Sequence, residues 1–123
     1  MVVHVLDDNA IILIERSKSL THHAGEMALP GGRVESSDFS IKMAAIRELY
    51  EELGIDSSRI LSCQTMNIVS TFTGFTIHPF FATIQTMQPI QACPIEIASV
   101  VLIPWSIVCN KKNYLSMTIA NTD

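Results

Sequence analysis

Apolar and polar positions change their period several times along this chain, and each change marks an element. Residues 1–6 are mostly apolar, Asp7, Asp8 and Asn9 interrupt them with turn-forming side chains, and residues 10–15 resume as an Ile-rich run. Two β-favouring runs around such a cluster predict a hairpin. Residues 17–25 are polar and irregular, and residues 27–29 predict a short strand that feeds Pro30, Gly31 and Gly32. That sequence turns easily, because glycine reaches positive φ without steric cost. The period then becomes helical. Ile46, Leu49, Tyr50 and Leu53 stand at i, i+3, i+4 and i+7, one apolar stripe of a helix predicted over residues 40–53. Ser36, Ser37 and Asp38 are its capping candidates, and Gly54 is its αL stop. Residues 60–71 and 75–86 are β-rich runs on either side of Phe72, Thr73 and Gly74, and read as a long hairpin or two paired strands. Residues 100–103 predict a further strand, 104–108 one helical turn or a short helix, and 114–119 a terminal strand.

No repeat, low-complexity tract or linker divides the 123 residues, so 1–123 read as one domain of the α+β class, a mixed sheet with a helix against it. A hydrophobic content of 48% with 16% charged residues is that of a folded globule. The formal net charge of -4, with no cluster of Lys or Arg, excludes a nucleic-acid backbone as partner, and an anionic substrate would then need a metal. Cys63, Cys93 and Cys109 are widely spaced with no C-x-x-C, which indicates neither a disulfide framework nor a zinc knuckle and fits a reducing cytoplasm. Residues 1–6 are too short and lack the basic flank of a signal peptide, and no apolar stretch reaches the length of a membrane span. The expected setting is cytoplasmic, without a membrane.

The chemistry gathers between Gly31 and Ile55, GGRVESSDFSIKMAAIRELYEELGI. On a helix, Glu48, Glu51 and Glu52 stand at i, i+3 and i+4 and share one stripe. Each like-charge pair costs a few tenths of a kcal/mol, roughly 0.2–0.5, and Arg47 paired with Glu51 at i+4 offsets part of this. A divalent cation would turn the cost into binding energy. Oxygen ligands with no Cys or His nearby favour a hard ion, Mg²⁺ or Mn²⁺, whose usual substrates carry diphosphates. A solvated helix face can carry the same charges, so spacing alone leaves both readings open.

The run from Arg47 to Ile55, RELYEELGI, resembles the second half of the Nudix box, G-x5-E-x7-R-E-U-x-E-E-x-G-U with U aliphatic, and fills every fixed position of it. The first half departs: fourteen residues separate Gly32 from Arg47 where the pattern has thirteen, and Asp38 takes the acidic place. The coenzyme A pyrophosphatase branch of the family carries the same insertion, commonly with Asp at that place. Upstream, Leu13, Ile14, Glu15, Arg16 and Ser17, then Leu20, then His23, Ala24 and Gly25, then Leu29, Pro30, Gly31 and Gly32 are similar to the branch motif L-L-T-x-R-[SA]-x3-R-x3-G-x3-F-P-G-G. Thr21 replaces its second Arg and Leu29 its Phe. Thr73, Gly74, Phe75, His78 and Pro79, and later Ile95, Glu96, Ile97, Ala98 and Pro104, also look like segments of the branch, so the resemblance covers roughly residues 10–107.

The resemblance implies a Nudix-type α/β/α sandwich with a mixed β-sheet and a Mg²⁺-dependent pyrophosphohydrolase. Its substrate would be coenzyme A or a thioester, split into 3′,5′-ADP and (acyl-)phosphopantetheine. It implies Glu48, Glu51 and Glu52 as metal ligands, Arg47 as the residue holding Glu51, and Gly31 and Gly32 as backbone passing close to the phosphates. Arg16 and His23 are substrate-contact candidates; Glu96 is the candidate general base outside the helix and Glu48 the alternative within it. His4 and His78 read as part of the fold. Thr21 in place of Arg keeps another nucleoside diphosphate derivative open, such as ADP-ribose or a dinucleotide. A non-catalytic nucleotide-binding module is the reading from a different class; such members normally lose helix carboxylates, and all three are present here. A homodimer whose partner completes the pocket of a short C-terminal part is also open.

Overall fold

The computed structural model describes residues 1–72 and 74–110, and the terminal strand expected at 114–119 lies outside them. The predicted hairpin is present: β1 (Val2–Val5) runs antiparallel to β2 (Ala10–Arg16), with Val5 opposite Ala10 and His4 opposite Ile11. Asn9 takes φ 47° in the turn, a conformation Asn tolerates better than most residues. β8 (Ile97–Pro104) pairs antiparallel along all of β2, from Ala10 opposite Pro104 to Arg16 opposite Ile97. The short β3 (Met27–Ala28) pairs with the far end of β2, Ala28 opposite Ile14. Since β8 occupies one edge of β2 throughout, β1 and β3 share the other edge.

The parallel element of the mixed sheet comes from β1 beside β7 (Phe80–Ile84), with Val3 next to Ala82 and Val5 next to Ile84; β4 (Ile60–Thr65) closes the sheet antiparallel to β7. The pairing expected between 60–71 and 75–86 is thus β4 with β7. Between them β5 (Val69–Ser70) and β6 (Thr76–Ile77) form a separate two-stranded ribbon.

Strand alternation sorts the side chains. Val3, Val5, Ile12, Ile14 and Ile84 point to one face, where helix α1 (Ile41–Leu53) adds Leu49 and Leu53 and Ile55 follows; these residues are the buried core. Burying each such side chain stabilises by about 1.5–3 kcal/mol, so this layer anchors α1. On the opposite face the ring of Trp105, in the short α2 (Trp105–Val108), lies 4.9 Å from His4 and 5.9 Å from Phe81. Helices therefore lie on both faces of a mixed sheet, in agreement with the expected sandwich.

Two details of α1 correct the sequence reading. Its N-cap is Ser40, whose Oγ accepts the Met43 N–H at 3.1 Å, and not one of residues 36–38. Asp38 is engaged elsewhere, accepting the Glu35 N–H at 2.7 Å and an arginine described below. Second, Tyr50, a member of the predicted apolar stripe, is 56% exposed, whereas Glu52, a member of the carboxylate stripe, is 3% exposed, so the two stripes do not divide into a buried and an exposed face. Glu52 and Tyr50 flank the Leu49–Leu53 stripe at about equal angles, roughly 80° each from 100° per residue. Neighbouring loops decide between them: the Gly31 N–H meets the Glu52 carboxylate at 2.8 Å, and Gln91 and Cys93 donate N–H groups to Leu53 O and Glu52 O at 2.7 and 2.9 Å. Gly54 stops the helix as expected, with φ 68° and its N–H on Tyr50 O.

Candidate active site

Arg47 organises the outer side of α1. Its guanidinium meets Asp38 two-handed, Nε to Oδ1 at 2.8 Å and Nη2 to Oδ2 at 3.0 Å, a fork-to-fork geometry stronger than a single hydrogen bond. Nη1 donates to Glu48 Oε1 at 2.9 Å and to Glu51 Oε2 at 3.0 Å, while Nη2 also reaches the Arg33 carbonyl at 3.1 Å. The Arg47 contact, with the Glu35 N–H, holds the Asp38 carboxyl below its usual range, and Asp38 in turn holds Arg47 above its ordinary value. The residue at the shifted acidic place of the box is thus the principal anchor of Arg47.

Glu48 and Glu52 face the glycine turn. The Gly31 N–H donates to Glu52 Oε1 at 2.8 Å. A Cβ on Gly32 would stand 2.4 Å from Glu48 Cδ, so only glycine leaves the Glu48 carboxylate where it is. Burial pushes the Glu52 carboxyl up to about 7, against the pull of the Gly31 N–H, and the charges of Glu48 and Glu96 push it further. Burial also raises Glu48, with Arg47 opposing and the charges of Glu51 and Glu96 adding to the rise. Glu48, Glu52 and Glu96 therefore repel one another across a common space. Glu96 is exposed in the turn just before β8. Glu51 points away from that space, its side chain 53% exposed against Arg47.

Among the described residues no three Asp, Glu, His or Cys side chains converge as a metal cage, and Glu48 and Glu52 each have one oxygen engaged, by Arg47 and by the Gly31 N–H. In chemistry the group nevertheless fits a hard divalent cation. Its donors are all oxygen, and a carboxyl driven to about 7 by burial and like charge is one that a cation would relieve.

The remaining predicted residues lie in the loop beside β2. Arg16 ends that strand and donates from Nη2 to the His22 carbonyl at 3.3 Å, while its Nε is buried with no partner among the described residues. His23, at φ 55°, is solvent-facing with Nδ1 2.9 Å from Glu26 Oε2. Cys63, Cys93 and Cys109 are free. Sequence reasoning assigned Arg47 to Glu51 and did not see that Asp38 is its main partner; the acidic place of the box was the available signal. The Gly31 N–H on Glu52 left no trace in residue type.

Residues 1–113 match the NUDIX domain, and the chain belongs to the Nudix family. It is 38% identical over 96 residues to the uncharacterized Nudix hydrolase NudL of Citrobacter koseri, covering 78% of this chain and 50% of that protein. NudL of Shigella boydii is 34% identical over 94 residues, 76% of this chain and 49% of its own. The chain spans about half the length of the curated relatives it matches. In fold it is similar to the NUDIX domain of Shewanella oneidensis NrtR complexed with ADP ribose (TM-score 0.66, 18% identity, 87% of this chain and 70% of that one). It is likewise similar to a C. elegans Ap4A hydrolase in a binary complex (TM-score 0.67, 15% identity, 98% and 93%). No helix among the described residues is long and apolar enough to cross a membrane.

Proposed function

We propose that this protein is a cytoplasmic, Mg²⁺- or Mn²⁺-dependent pyrophosphohydrolase that cleaves the diphosphate of coenzyme A or its thioesters to 3′,5′-ADP and (acyl-)phosphopantetheine. The observation that carries the reading is the set of mutually repelling carboxylates: Glu52 on the Gly31 N–H, Glu48 packed on Gly32, and Glu96 raising both by its charge. Glu48 and Glu52 would hold the ion, with Glu51 at its outer side. The ion, when bound, supplies neutralisation of charge on the phosphoryl oxygens. Arg47, fixed by Asp38, orients Glu48 and Glu51. The Gly31–Gly32 turn would let the backbone pass close to the phosphates of a bound diphosphate. Glu96 is exposed and not tied to Arg47, which favours it over Glu48 as the group that takes a proton from the attacking water. The Nε of Arg16, buried and without a partner among the described residues, would be a donor for a substrate phosphate, with His23 as the second contact in the same loop region.

Thr21 in place of the second Arg of the branch motif removes one fixed cation, which favours as second reading a substrate without the extra phosphate of coenzyme A, such as ADP-ribose. Steady-state hydrolysis of coenzyme A and ADP-ribose, each with and without Mg²⁺, separates the two. A higher kcat/KM for coenzyme A supports the first reading, and the reverse order supports the second. A homodimer is compatible with either and is checked by the mass of the active species in solution.

A further inference from the structure

We propose that Arg59 is a positioning residue for Glu96, acting through the chain that joins β7 to β8; the inference rests on the role given to Glu96 above. Residues 85–96 contain no helix or strand, yet they carry Glu96 to the carboxylates of α1. A connection of this length with no structure of its own needs external anchors if a side chain at its end is to keep its place. Arg59, at the end of the 3-10 turn Ser57–Arg59 that follows α1, is the first anchor. Its Nη2 donates to the carbonyls of Thr86, Met87 and Gln88 at 2.9, 3.3 and 3.2 Å, and its Nη1 donates to the Pro89 carbonyl. Four consecutive carbonyl dipoles thus point at one cation, an arrangement that would repel itself without the guanidinium.

The second anchor is the end of α1. Gln91 and Cys93 donate to Leu53 O and Glu52 O, so Glu52 gives its carboxylate to the candidate site and its carbonyl to the connection. Cys93 O then accepts the N–H groups of Glu96 at 3.2 Å and Ile97 at 2.9 Å, and the Ser17 N–H closes on Glu96 O at 2.8 Å. Arg59 fixes the near half of the connection, and α1 can then hold the half that ends in Glu96. Lysine offers no planar fork and cannot span the same carbonyls, so Arg59→Lys is a disruptive change here despite keeping the charge.

The test combines amide hydrogen exchange with kinetics on the full chain, in wild type, Arg59→Ala, Arg59→Lys, Glu96→Gln and the Arg59→Ala/Glu96→Gln double variant. The expected exchange result is loss of protection by about tenfold or more at Gln91, Cys93 and Ile97 in both Arg59 variants, with the amides of Val3 and Leu49 unchanged. The expected kinetic result is a kcat about tenfold lower in each Arg59 variant at a KM within about twofold, and no further loss when Arg59→Ala is added to Glu96→Gln. Unchanged protection at 91–97, or multiplicative loss in the double variant, would overturn the positioning role. If Arg59→Ala does not fold, Arg59→Lys decides. A wild-type chain that turns over no diphosphate substrate would sink the reading of the site and the role of Arg59 in it together, while the exchange pattern would still decide whether Arg59 tethers the connection.

Discussion

Glu52→Gln should make the metal-free protein more stable at high pH and no more stable at low pH. Glu52 is 3% exposed, and burial pushes its carboxyl up to about 7 from an ordinary value of 4.5. Between those values the folded state keeps a proton that the unfolded state has released, so stability falls as pH rises through the window and the loss is complete above the folded value. At 1.36 kcal/mol per pKa unit, the whole shift corresponds to about 3 kcal/mol, which is the ceiling for the gain on removing the charge. Glutamine keeps an oxygen for the Gly31 N–H, so the hydrogen bond at 2.8 Å survives the change. Urea unfolding followed by the fluorescence of Trp105, the single tryptophan, in EDTA across this pH range reads the difference. The variant should match wild type near pH 4.5 and exceed it by about 2–3 kcal/mol above pH 8. Saturating Mg²⁺ should stabilise wild type far more than the variant, because an ion that binds only the folded state adds RT ln(1 + [L]/Kd). A difference independent of pH, or a variant less stable than wild type at pH 8 in EDTA, would refute the electrostatic reading of Glu52.

Three further outcomes follow from the geometry. Gly32→Ala places a Cβ 2.4 Å from Glu48 Cδ; it should lower kcat by about 10–100-fold while leaving the unfolding midpoint nearly unchanged, and equal activity would contradict the close packing of turn and carboxylate. Asp38→Asn removes the charged partner that grips Arg47 at 2.8 and 3.0 Å, and should lower kcat by about tenfold with a smaller change in KM; the same loss in an Arg47→Ala/Asp38→Asn pair as in Arg47→Ala alone would show that the two act as one unit. Gly54→Ala forces φ 68° on a side chain whose Cβ would sit 3.1 Å from Gln91 Cβ, and should cost at least about 1 kcal/mol in chemical denaturation; a neutral result would mean that the end of α1 relaxes freely.

Local periodicity carried the elements that depend on neighbours in sequence. The β1–β2 hairpin, the span of α1 to within a residue and the Gly54 stop all follow from turn residues and from the stripe of Leu49 and Leu53. What failed was decided at long range. Tyr50 and Glu52 flank the same stripe equally, and the chain arriving on one flank, the Gly31 turn on the Glu52 carboxylate and Cys93 on its carbonyl, accompanies the burial of Glu52 while Tyr50 stays in solvent. The cap was misplaced because Ser36, Ser37, Asp38 and Ser40 are all capping types, and Asp38 is withdrawn by a residue nine positions away, Arg47. In the site, the pairing of Arg47 with Glu51 at i+4 was legible from spacing along α1. The division of the helix carboxylates into Glu51 outside and Glu48 and Glu52 inside was not, because it depends on where Gly31 and Glu96 arrive in space. The ribbon of β5 and β6 likewise looked like the continuation of β4 and β7, since both share the same β-favouring composition.

The most direct measurement is hydrolysis of coenzyme A by the wild-type chain with Mg²⁺ or with EDTA, beside ADP-ribose and a nucleoside triphosphate, with products identified by mass. The expected result is Mg²⁺-dependent formation of 3′,5′-ADP and phosphopantetheine, lost in Glu52→Gln. Cleavage of none of these substrates with either Mg²⁺ or Mn²⁺ by a folded protein would contradict the assignment of Glu48, Glu52 and Glu96 to catalysis.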